Sequence, residues 1–534
     1  MLVRSCINVD VKIHVMSALE LKRALRDKTL TSVDIVEALL ARRRAVEGKV
    51  HAFVVDLGDA AREAAARCDV ERREAEKNGT LDRLPPLHGL PITVKENVEI
   101  AGTASTIGVE KRRDAIATSD AVTVTLAKRA GAFVIGKTNV PQTLLAIETT
   151  NFLFGTTNNP WALDRTPGGS SGGEAAAIAS GASVMGIGTD IGGSLRIPAG
   201  FSGLATIKPT LHRWSNRGSL GLLLGQEIVR SQIGPIARDA ADVAFLLRAL
   251  DSPLHAQLDP EVPPLPIGDP AAVSLKGLRV GVFEDDGFFT PCVSSKRAVR
   301  QAAEALERAG AIVVPFAPPR ADEHYLVLAC AVTADGLDTL DGWLGQDRVI
   351  APVALNRRLA HTPGQVRRGL SKALGALGER RVAKTLGLVG RRDVASYWKL
   401  AYDRMAMQRG ELDRWNELSL DCVLCPATAT PAAPHGSTAD FTPAAAYTTR
   451  YNVLNLPAGV VSTTTVRPNE TERPERSDRL DKKAAQIQRG SAGLPIGVQI
   501  VGRPYREDVV LAVMEHVERE ARAAGEAPRT PVDP

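Results

Sequence analysis

Apolar positions at helical spacing follow polar capping residues near the start of the chain. Ser17 with Glu20 and Thr31 with Asp34 each fit the capping-box pattern ahead of an apolar-periodic run. A third run, charged and rich in alanine, comes next. These patterns predict an N-terminal helical region over residues 1–80.

Beyond residue 88, short β-branched runs alternate with helical patterns. "GLPITVKEN" holds a strand pattern that ends at Lys95, and "GLRVGVF", a helical run and "AIVVPF" form a β-α-β pattern. "AGVVSTTTV" and "LPIGVQIVG" are apolar strand patterns near the end of the chain. This alternation predicts an α/β fold, a single large domain with one central sheet covered by helices on both faces.

Two segments interrupt this alternation. Residues 253–274 are rich in proline and are predicted to form a surface connection. Residues 467–490 carry many charges and are predicted to form an exposed excursion between two strands.

Composition excludes several classes of protein. The 534 residues are 44% apolar and 24% charged, which is enough to bury a sizeable core. A net charge of +5 and only 4% aromatic residues argue against a nucleic-acid partner. Six cysteines form no disulfide pattern and no signal-peptide pattern opens the chain, so a cytoplasmic setting is expected. The uncharged stretch at residues 175–189 is too short for a transmembrane helix.

Three short motifs suggest chemistry that their surroundings do not favour. "GAFVIGKT" matches a phosphate-binding loop, but its central residues have the composition of a strand. "GGSSG" matches a nucleophile elbow and stays open as an alternative, although the preceding segment is polar and contains prolines. Cys422 and Cys425 form one C-x-x-C without the second pair of ligands that zinc needs.

A larger set of motifs runs through the chain. Lys95 ends a strand, "PGGSSGGE" contains Ser170, and "GTDIGGSLRIPAGFSGLATIKPT" contains Ser194, 24 positions later. "GKTNVPQ", "GTTNNPW", "SQIGPIARDAADVA" and "LPIGVQIVGRPYRED" accompany them. Together these motifs closely resemble the amidase signature family over most of the chain, with the signature core at residues 88–215.

The resemblance implies a mixed central sheet and a Ser-Ser-Lys triad, with Ser194 as nucleophile, Ser170 as the bridging serine and Lys95 as base. It implies no metal or other cofactor. A serine hydroxyl is a poor nucleophile until a neighbour takes its proton, and lysine can do so only when neutral. Keeping an amine of pKa ~10.4 neutral at pH 7 in water costs roughly 4–5 kcal/mol. Burial without a carboxylate partner lowers that cost, so an alkaline activity optimum is expected.

The resemblance also implies how the nucleophile is surrounded. It assigns an oxyanion hole to the backbone amides of Ile191, Gly192, Gly193 and Ser194, and a cis peptide bond between Gly169 and Ser170. The glycines suit this role because a backbone without Cβ can approach a substrate carbonyl closely. The supporting positions that match the family are Gly169, Ser171, Thr189, Asp190 and Arg196.

Two regions bear on the substrate. "YTTRYNVLNLPAGVVSTTTV" resembles the branch of the family that contains fatty acid amide hydrolases. Leu144 and Leu145 match positions that line the acyl channel in that branch, and Thr150 follows in the same loop. These residues predict a lipophilic acyl or aryl group, although an anilide or a carbamate would also fit.

Residues 356–400 are predicted to form a basic amphipathic helical cap. Within it, residues 366–392 carry apolar positions at helical spacing and eight basic residues against one acid, Glu379. Such a surface suits peripheral contact with an anionic membrane, and an ordinary solvated helix remains the alternative.

The sequence therefore predicts an amidase that cleaves lipophilic carboxamides, such as fatty acid amides, through an acyl-enzyme. Three alternatives remain: a glutaminase subunit of an amidotransferase, a carbamate or ester hydrolase using the same site, and an inactive membrane-surface binding protein. A homodimer is left open.

Overall fold

The computed structural model describes residues 13–221, 223–473 and 478–534. Residues 1–12 of the predicted N-terminal helical region and residues 474–477 of the predicted charged excursion lie outside the described residues.

The described residues form one large sheet and one small hairpin. Their strands, in chain order, are β1 (Phe53–Asp56), β2 (Pro91–Lys95), β3 (Phe133–Thr138), β4 (Thr150–Asn151), β5 (Gly155–Thr156), β6 (Met185–Asp190), β7 (Ala205–Lys208), β8 (Gln232–Ala237), β9 (Arg279–Val282), β10 (Ile312–Pro315), β11 (Cys422–Pro426), β12 (Ala458–Thr465) and β13 (Pro495–Gly502).

Helices surround this sheet. They are α1 (Ala18–Arg26), α2 (Ser32–Val50), α3 (Gly58–Lys77), α4 (Val122–Arg129), α5 (Gly172–Ala179), α6 (Arg196–Ser202), α7 (Ala240–Ala249), α8 (Leu254–Leu258), α9 (Val293–Arg308), α10 (Ala321–Val332), α11 (Asp338–Leu344), α12 (Ala351–His361), α13 (Gly364–Ala376), α14 (Arg380–Leu388), α15 (Val394–Glu417), α16 (Ala446–Val453), α17 (Arg479–Gln488) and α18 (Glu507–Ala523).

The large sheet has the strand order β1-β3-β2-β6-β8-β7-β12-β13-β11-β9-β10. β2 is parallel to β3 and β6, and β9 is parallel to β10 and β11, whereas the remaining pairs are antiparallel. Every residue of β2, β3, β6 and β8 is buried, as expected for strands covered on both faces. The predicted single α/β domain with a mixed sheet flanked by helices is confirmed.

The local predictions for the first helices and the β-α-β unit are also confirmed. Ser17 and Thr31 each accept a hydrogen bond from the backbone three residues later, and Glu20 and Asp34 complete the two capping boxes. β9, α9 and β10 form the predicted unit with parallel strands.

Two of the short motifs lie in structures that cannot carry the suggested chemistry. The centre of "GAFVIGKT" is β3 itself, so no loop turns its amides toward a phosphate. The strand that precedes "GGSSG", β5, ends at Thr156, and no strand leads directly into the motif as a nucleophile elbow requires.

The prediction for residues 467–490 is wrong in its second half. Residues 479–488 form α17, and its residues Leu480, Ala484 and Ile487 are buried within one of the hydrophobic clusters of the core. Those three positions have helical spacing, but the surrounding charges hid the pattern in the sequence.

Candidate active site

Two neighbouring parallel strands bring the candidate residues together. Lys95 is the last residue of β2, and Asp190 is the last residue of β6. Thr93 and Val94 of β2 pair with residues of β6 that lie a few positions before Asp190. The carboxyl ends of both strands therefore meet at one edge of the sheet, a usual place for ligand binding in α/β folds.

The amine of Lys95 is fully buried and contacts only neutral oxygens. Its Nζ donates to Ser170 Oγ at 2.7 Å, to Thr189 Oγ1 at 2.8 Å and to the Thr189 carbonyl at 3.4 Å. No carboxylate forms a salt bridge with Lys95 within the described part of the chain. Lys95 and Ser170 are therefore held together, as a base and the bridging serine would require.

Burial sets the protonation of this amine. It lowers the pKa of Lys95 to about 7, although the more distant carboxylates of Asp190, Glu174 and Glu96 act in the opposite direction. A substantial fraction of Lys95 is therefore neutral near neutral pH.

Ser170 lies on the loop before α5, and Ser194 lies on the loop between β6 and α6. Ser194 follows β6, is 9% exposed and opens onto a cavity, and its carbonyl accepts the Ser171 amide at 3.0 Å. Ser171 Oγ donates to the Thr189 carbonyl at 3.3 Å, which ties the two loops together. The Gly169–Ser170 peptide bond is cis, and a Cβ at position 169 would lie 2.6 Å from the Ala146 carbonyl.

The loop at residues 191–194 differs in one respect from the predicted oxyanion hole. The Gly193 amide donates to Asp190 Oδ1 at 2.8 Å, so it is already engaged. Among the described residues, no hydrogen-bond acceptor meets the amides of Ile191, Gly192 and Ser194. Gly193 has a φ of 125°, which favours glycine. Gly193 therefore shapes the loop, and the amides left without an acceptor are those of Ile191, Gly192 and Ser194.

A buried ion pair anchors this loop. Arg196 Nε lies 2.9 Å from Asp190 Oδ2, and Arg196 Nη2 lies 3.0 Å from Asp190 Oδ1. Neither side chain is exposed. Although burial raises the pKa of Asp190, Arg196 holds it well below its usual range. The Arg196 guanidinium also donates to Gln499 Oε1 at 2.7 Å and to Asn452 Oδ1 at 2.5 Å.

Gln499 and Asn452 were not predicted to take part in the site. A signal was present, because Gln499 is a polar residue in the otherwise apolar pattern of β13. A buried polar residue in an apolar strand needs a hydrogen-bond partner, although the pattern does not say which one.

An apolar cavity of about 350 Å³ begins beside Ser194. It is walled by the loop after β3, by helices α10 to α14 and by the segment before α16, and its aliphatic lining includes Leu144, Leu145, Ile191, Leu328, Leu340, Val353, Leu359, Leu374, Val382 and Leu386.

Leu144 and Leu145 thus lie where the sequence predicted, but Thr150 does not. Its side chain pairs with Thr156 Oγ1 at 2.7 Å across the β4–β5 hairpin and does not line the cavity. The lining of this cavity therefore gives no support to the prediction that Thr150 binds substrate, and its hydroxyl is engaged within the hairpin.

The predicted cap forms a pair of helices, α13 and α14, that closes one side of the cavity through Leu374, Val382 and Leu386. α13 has no buried residue, and Leu377 between the helices is 78% exposed.

The charge of this cap is partly neutralised within the molecule. Arg381 pairs with Asp478 and Asp481, Lys384 with Asp322, and Arg391 with Asp338. The basic surface is therefore weaker than the sequence suggested.

Cysteine, glutamate and histidine meet at one place that could be taken for a metal site. Ligand atoms of Cys68, Glu71 and His88 lie within 4.8 Å of one another. Arg72 lies 3.1 Å from His88 Nδ1, and because a guanidinium can only donate hydrogen bonds, Nδ1 must be the acceptor. The ring proton is therefore on Nε2, which donates to Glu71 at 2.9 Å. The cluster is satisfied by hydrogen bonds, and that tautomer does not suit metal binding at Nε2.

Cys422 and Cys425 both lie on β11 and are buried. Burial raises the pKa of each thiol, which disfavours the thiolate that metal or redox chemistry requires.

None of the helices in the described ranges combines the length and apolar character needed to cross a bilayer.

Known proteins of one family match this chain along most of its length. The amidase family model matches residues 34–511. Fatty-acid amide hydrolase 1 of Sus scrofa is 35% identical over 460 residues, covering 85% of this chain and 78% of that protein. A glutamyl-tRNA(Gln) amidotransferase component from Prochlorococcus marinus is 29% identical over 536 residues, covering 96% and 99%. A solved structure of a fatty acid amide hydrolase superposes with a TM-score of 0.83 and 25% identity, covering 96% of this chain and 86% of that one.

Proposed function

The chain belongs to the amidase signature family and is an amide hydrolase, and from that premise we propose that it cleaves lipophilic carboxamides through an acyl-enzyme on a Ser-Ser-Lys triad. The observation that supports this proposal is the hydrogen bond from Lys95 Nζ to Ser170 Oγ on a loop whose next residue, Ser171, binds the carbonyl of Ser194, which itself lines an apolar cavity.

The reaction begins with the neutral amine of Lys95. Lys95 accepts the proton of Ser170, which accepts the proton of Ser194 as Ser194 Oγ bonds to the carbonyl carbon of the amide. The amides of Ile191, Gly192 and Ser194 stabilise the oxyanion that forms.

The return of the proton completes the first half-reaction. Lys95 gives it back through Ser170 to the leaving nitrogen, the C–N bond breaks, and an amine departs from the acyl-enzyme. Water then attacks the ester carbon while Ser170 and Lys95 take its proton. The bond between Ser194 Oγ and the acyl carbon breaks, the proton returns through Ser170 to Ser194 Oγ, and the carboxylic acid departs.

The apolar wall of the cavity favours a substrate with a lipophilic acyl or aryl group. Leu144, Leu145, Leu328 and Leu340 present apolar surface, and each buried methylene of a substrate contributes about 0.8 kcal/mol. A short polar amide would forgo most of that contribution.

The test combines covalent labelling with a substrate series. A fluorophosphonate probe should modify Ser194, as located by mass mapping, and Ser194→Ala should lose both the label and turnover. Ser491→Ala removes a buried hydroxyl that bonds the Gln488 carbonyl away from the site, and it should keep both. Across amides of increasing acyl length, kcat/KM should rise. Labelling elsewhere, or full turnover by Ser194→Ala, would disprove the proposal.

The same substrate series separates the alternatives. A glutaminase component of an amidotransferase would need partner proteins and a polar pocket, so turnover of hydrophobic amides by the purified chain, with none of glutamine, excludes it. Ester and carbamate analogues tested beside the amides show whether those bonds are cleaved. A binding protein without activity would leave every substrate intact.

We also propose peripheral contact with anionic membranes through residues 366–392. Val366, Leu370 and Leu377 are exposed there beside Arg368 and Lys372. Flotation with anionic vesicles should recover the protein, and Leu377→Glu should reduce recovery. Equal recovery of both proteins, or none of the wild type, contradicts the contact. A cytoplasmic location and a homodimer stay predictions.

A further inference from the structure

A fully buried carboxyl group lies close beneath the candidate base. Glu174, in the first turn of α5, accepts hydrogen bonds from Thr93 Oγ1 at 2.6 Å and Thr138 Oγ1 at 2.7 Å. Gly186 on β6 leaves room for it, because a Cβ there would overlap Glu174 Oε2. Three strands thus form a socket for this one carboxyl group.

Its position relative to Lys95 follows from β2. Thr93 and Lys95 are two residues apart in this strand, so their side chains leave the same face. Thr93 donates a hydrogen bond to Glu174, and Lys95 donates one to Ser170, which lies four residues before Glu174 in the chain. The carboxyl group and the amine are therefore neighbours without being in contact.

Asp190 is another carboxylate near Lys95, and its charge is partly compensated. Arg196 binds both of its oxygens, and the buried amine of Lys208, whose own pKa burial lowers to about 7, lies close enough to lower the pKa of Asp190 when that amine is protonated. Arg196 therefore offsets part of the charge of Asp190, although Asp190 still favours the ammonium form of Lys95.

Glu96, next in the chain to Lys95, is compensated in a different way. Its oxygens accept the backbone amides of Thr106 and Ile107, and the ammonium of Lys137 lies near enough to be attracted to it. Glu174 has only neutral hydroxyls as partners, and no ion pair within the described residues.

We propose that Glu174 is a positioning residue that sets the pH at which Lys95 becomes a base and stabilises the ammonium that forms on Lys95 during the reaction. The inference rests on the proposed Ser-Ser-Lys function and names the residue that controls the protonation of its base.

Two opposite effects follow from one attraction. A buried negative charge beside Lys95 favours its protonated form, so it reduces the neutral fraction of Lys95 around neutral pH, where both groups ionise. The same charge stabilises the ammonium once Ser170 has given up its proton, which accelerates the reaction at high pH.

Burial supports this coupling, since it raises the pKa of Glu174 to about 7 against the effects of Thr93, Thr138 and Lys95. Two neighbouring groups that ionise in one pH range titrate as a pair.

Glu174→Gln tests the inference, because glutamine keeps the size of the side chain and can bond both threonines. We expect the acid limb of the kcat/KM profile to move about one pH unit lower. We expect the alkaline plateau of kcat to fall about tenfold with KM little changed. A purely structural role would lower activity at every pH without moving the limb.

Asp242→Asn is the matched control. Asp242 is also buried, with a pKa raised by burial to about 7, but it accepts the amides of Ala18 and Leu19 at the start of α1. Its variant should lower the melting temperature and keep the wild-type acid limb. If Glu174→Gln does not fold, Thr138→Val removes one donor to the carboxylate and should shift the limb in the same direction by a smaller amount.

The outcomes separate the two proposals. An acid limb that stays in place in the folded Glu174→Gln protein, or in Thr138→Val where that protein replaces it, overturns the role of Glu174. It leaves the triad intact if Lys95→Ala is inactive. Turnover by Lys95→Ala overturns the triad, and with it the role of Glu174.

Discussion

Replacing Lys95 by methionine should change the dependence of stability on pH. Methionine has a similar length and no charge, so it removes the ionisation and keeps most of the packing. Ser170 and Thr189 lose a donor in this variant, and that cost is the same at every pH. Any difference between the two proteins that varies with pH therefore reports on the ionisation of the amine together with that of Glu174, which is coupled to it.

The magnitude follows from the pKa of Lys95, which burial lowers from the ordinary 10.5 to about 7. Between these values the unfolded chain binds a proton that the folded chain does not, so the stability of the wild type rises with pH in this range. A shift of one pKa unit corresponds to about 1.36 kcal/mol, and the group is half-titrated at pH 7. The free energy of unfolding of the wild type should therefore rise by about 2 kcal/mol relative to that of Lys95→Met between pH 7 and pH 9.

Calorimetric melting of both proteins from pH 6 to pH 9 measures this gain as a change of a few degrees in their difference in Tm. Lys137→Met is a useful control, since burial lowers the pKa of Lys137 to about 8 and its amine bonds the Ala104 carbonyl at 2.7 Å. The stability of the wild type relative to Lys137→Met should also rise, but at higher pH. The acid limb of the pH–activity profile of Lys137→Met should stay near pH 7. Parallel melting curves for wild type and Lys95→Met across this range would refute the lowered pKa.

Three further changes test the loop and the cavity. Arg196→Met leaves the buried Asp190 without its cation, so the free energy of unfolding should fall by about 3–5 kcal/mol in urea titrations, and an unchanged midpoint would contradict the role of the pair. Gly193→Ala at a φ of 125° should lower kcat about 100-fold with KM nearly constant. Gly410→Ala, whose Cβ meets no atom within 4 Å, should leave both constants unchanged, and similar losses in the two variants would point to a general effect. Leu340→Trp narrows the cavity and should raise KM about tenfold for long acyl chains, given about 0.8 kcal/mol per methylene; an equal change for acetyl amides would argue against an acyl site there.

Local patterns were enough to predict much of the fold. The capping boxes at Ser17 and Thr31 and the β-α-β unit at β9–α9–β10 depend on neighbours in the chain, and a single sequence contains that information. α17 was missed because charged residues surround its apolar positions, and only packing against the core reveals which side is buried.

The candidate site was predictable in its residue types but not in its connections. Lys95, Ser170 and Ser194 stand in recognisable motifs, so their proximity could be expected from the resemblance. The engagement of the Gly193 amide by Asp190 depends on how the loop after β6 turns. The contact of Glu174 with Thr93 depends on the packing of α5 against β2. Neither arrangement has a signature in the sequence.

The arrangement of charges around Lys95 supports its proposed role as a base. A carboxylate in direct contact would raise its pKa by about 1–3 units and hold it as an ammonium. The direct acceptors are neutral oxygens instead, and Asp190 is turned toward Arg196. Arg196 therefore acts on Lys95 at a distance, because it offsets part of the charge of a carboxylate that favours the ammonium.

Arg196→Met should then move the acid limb of kcat/KM to higher pH, opposite to the shift expected for Glu174→Gln. The reason is that Asp190 keeps its hydrogen bonds from the Gly193 amide and from Asn452, so it stays ionised without its cation. Its uncancelled charge then favours the protonated form of Lys95. A shift to lower pH in the folded Arg196→Met protein would mean that Asp190 takes up a proton, and that the ion pair supports the loop without influencing the base.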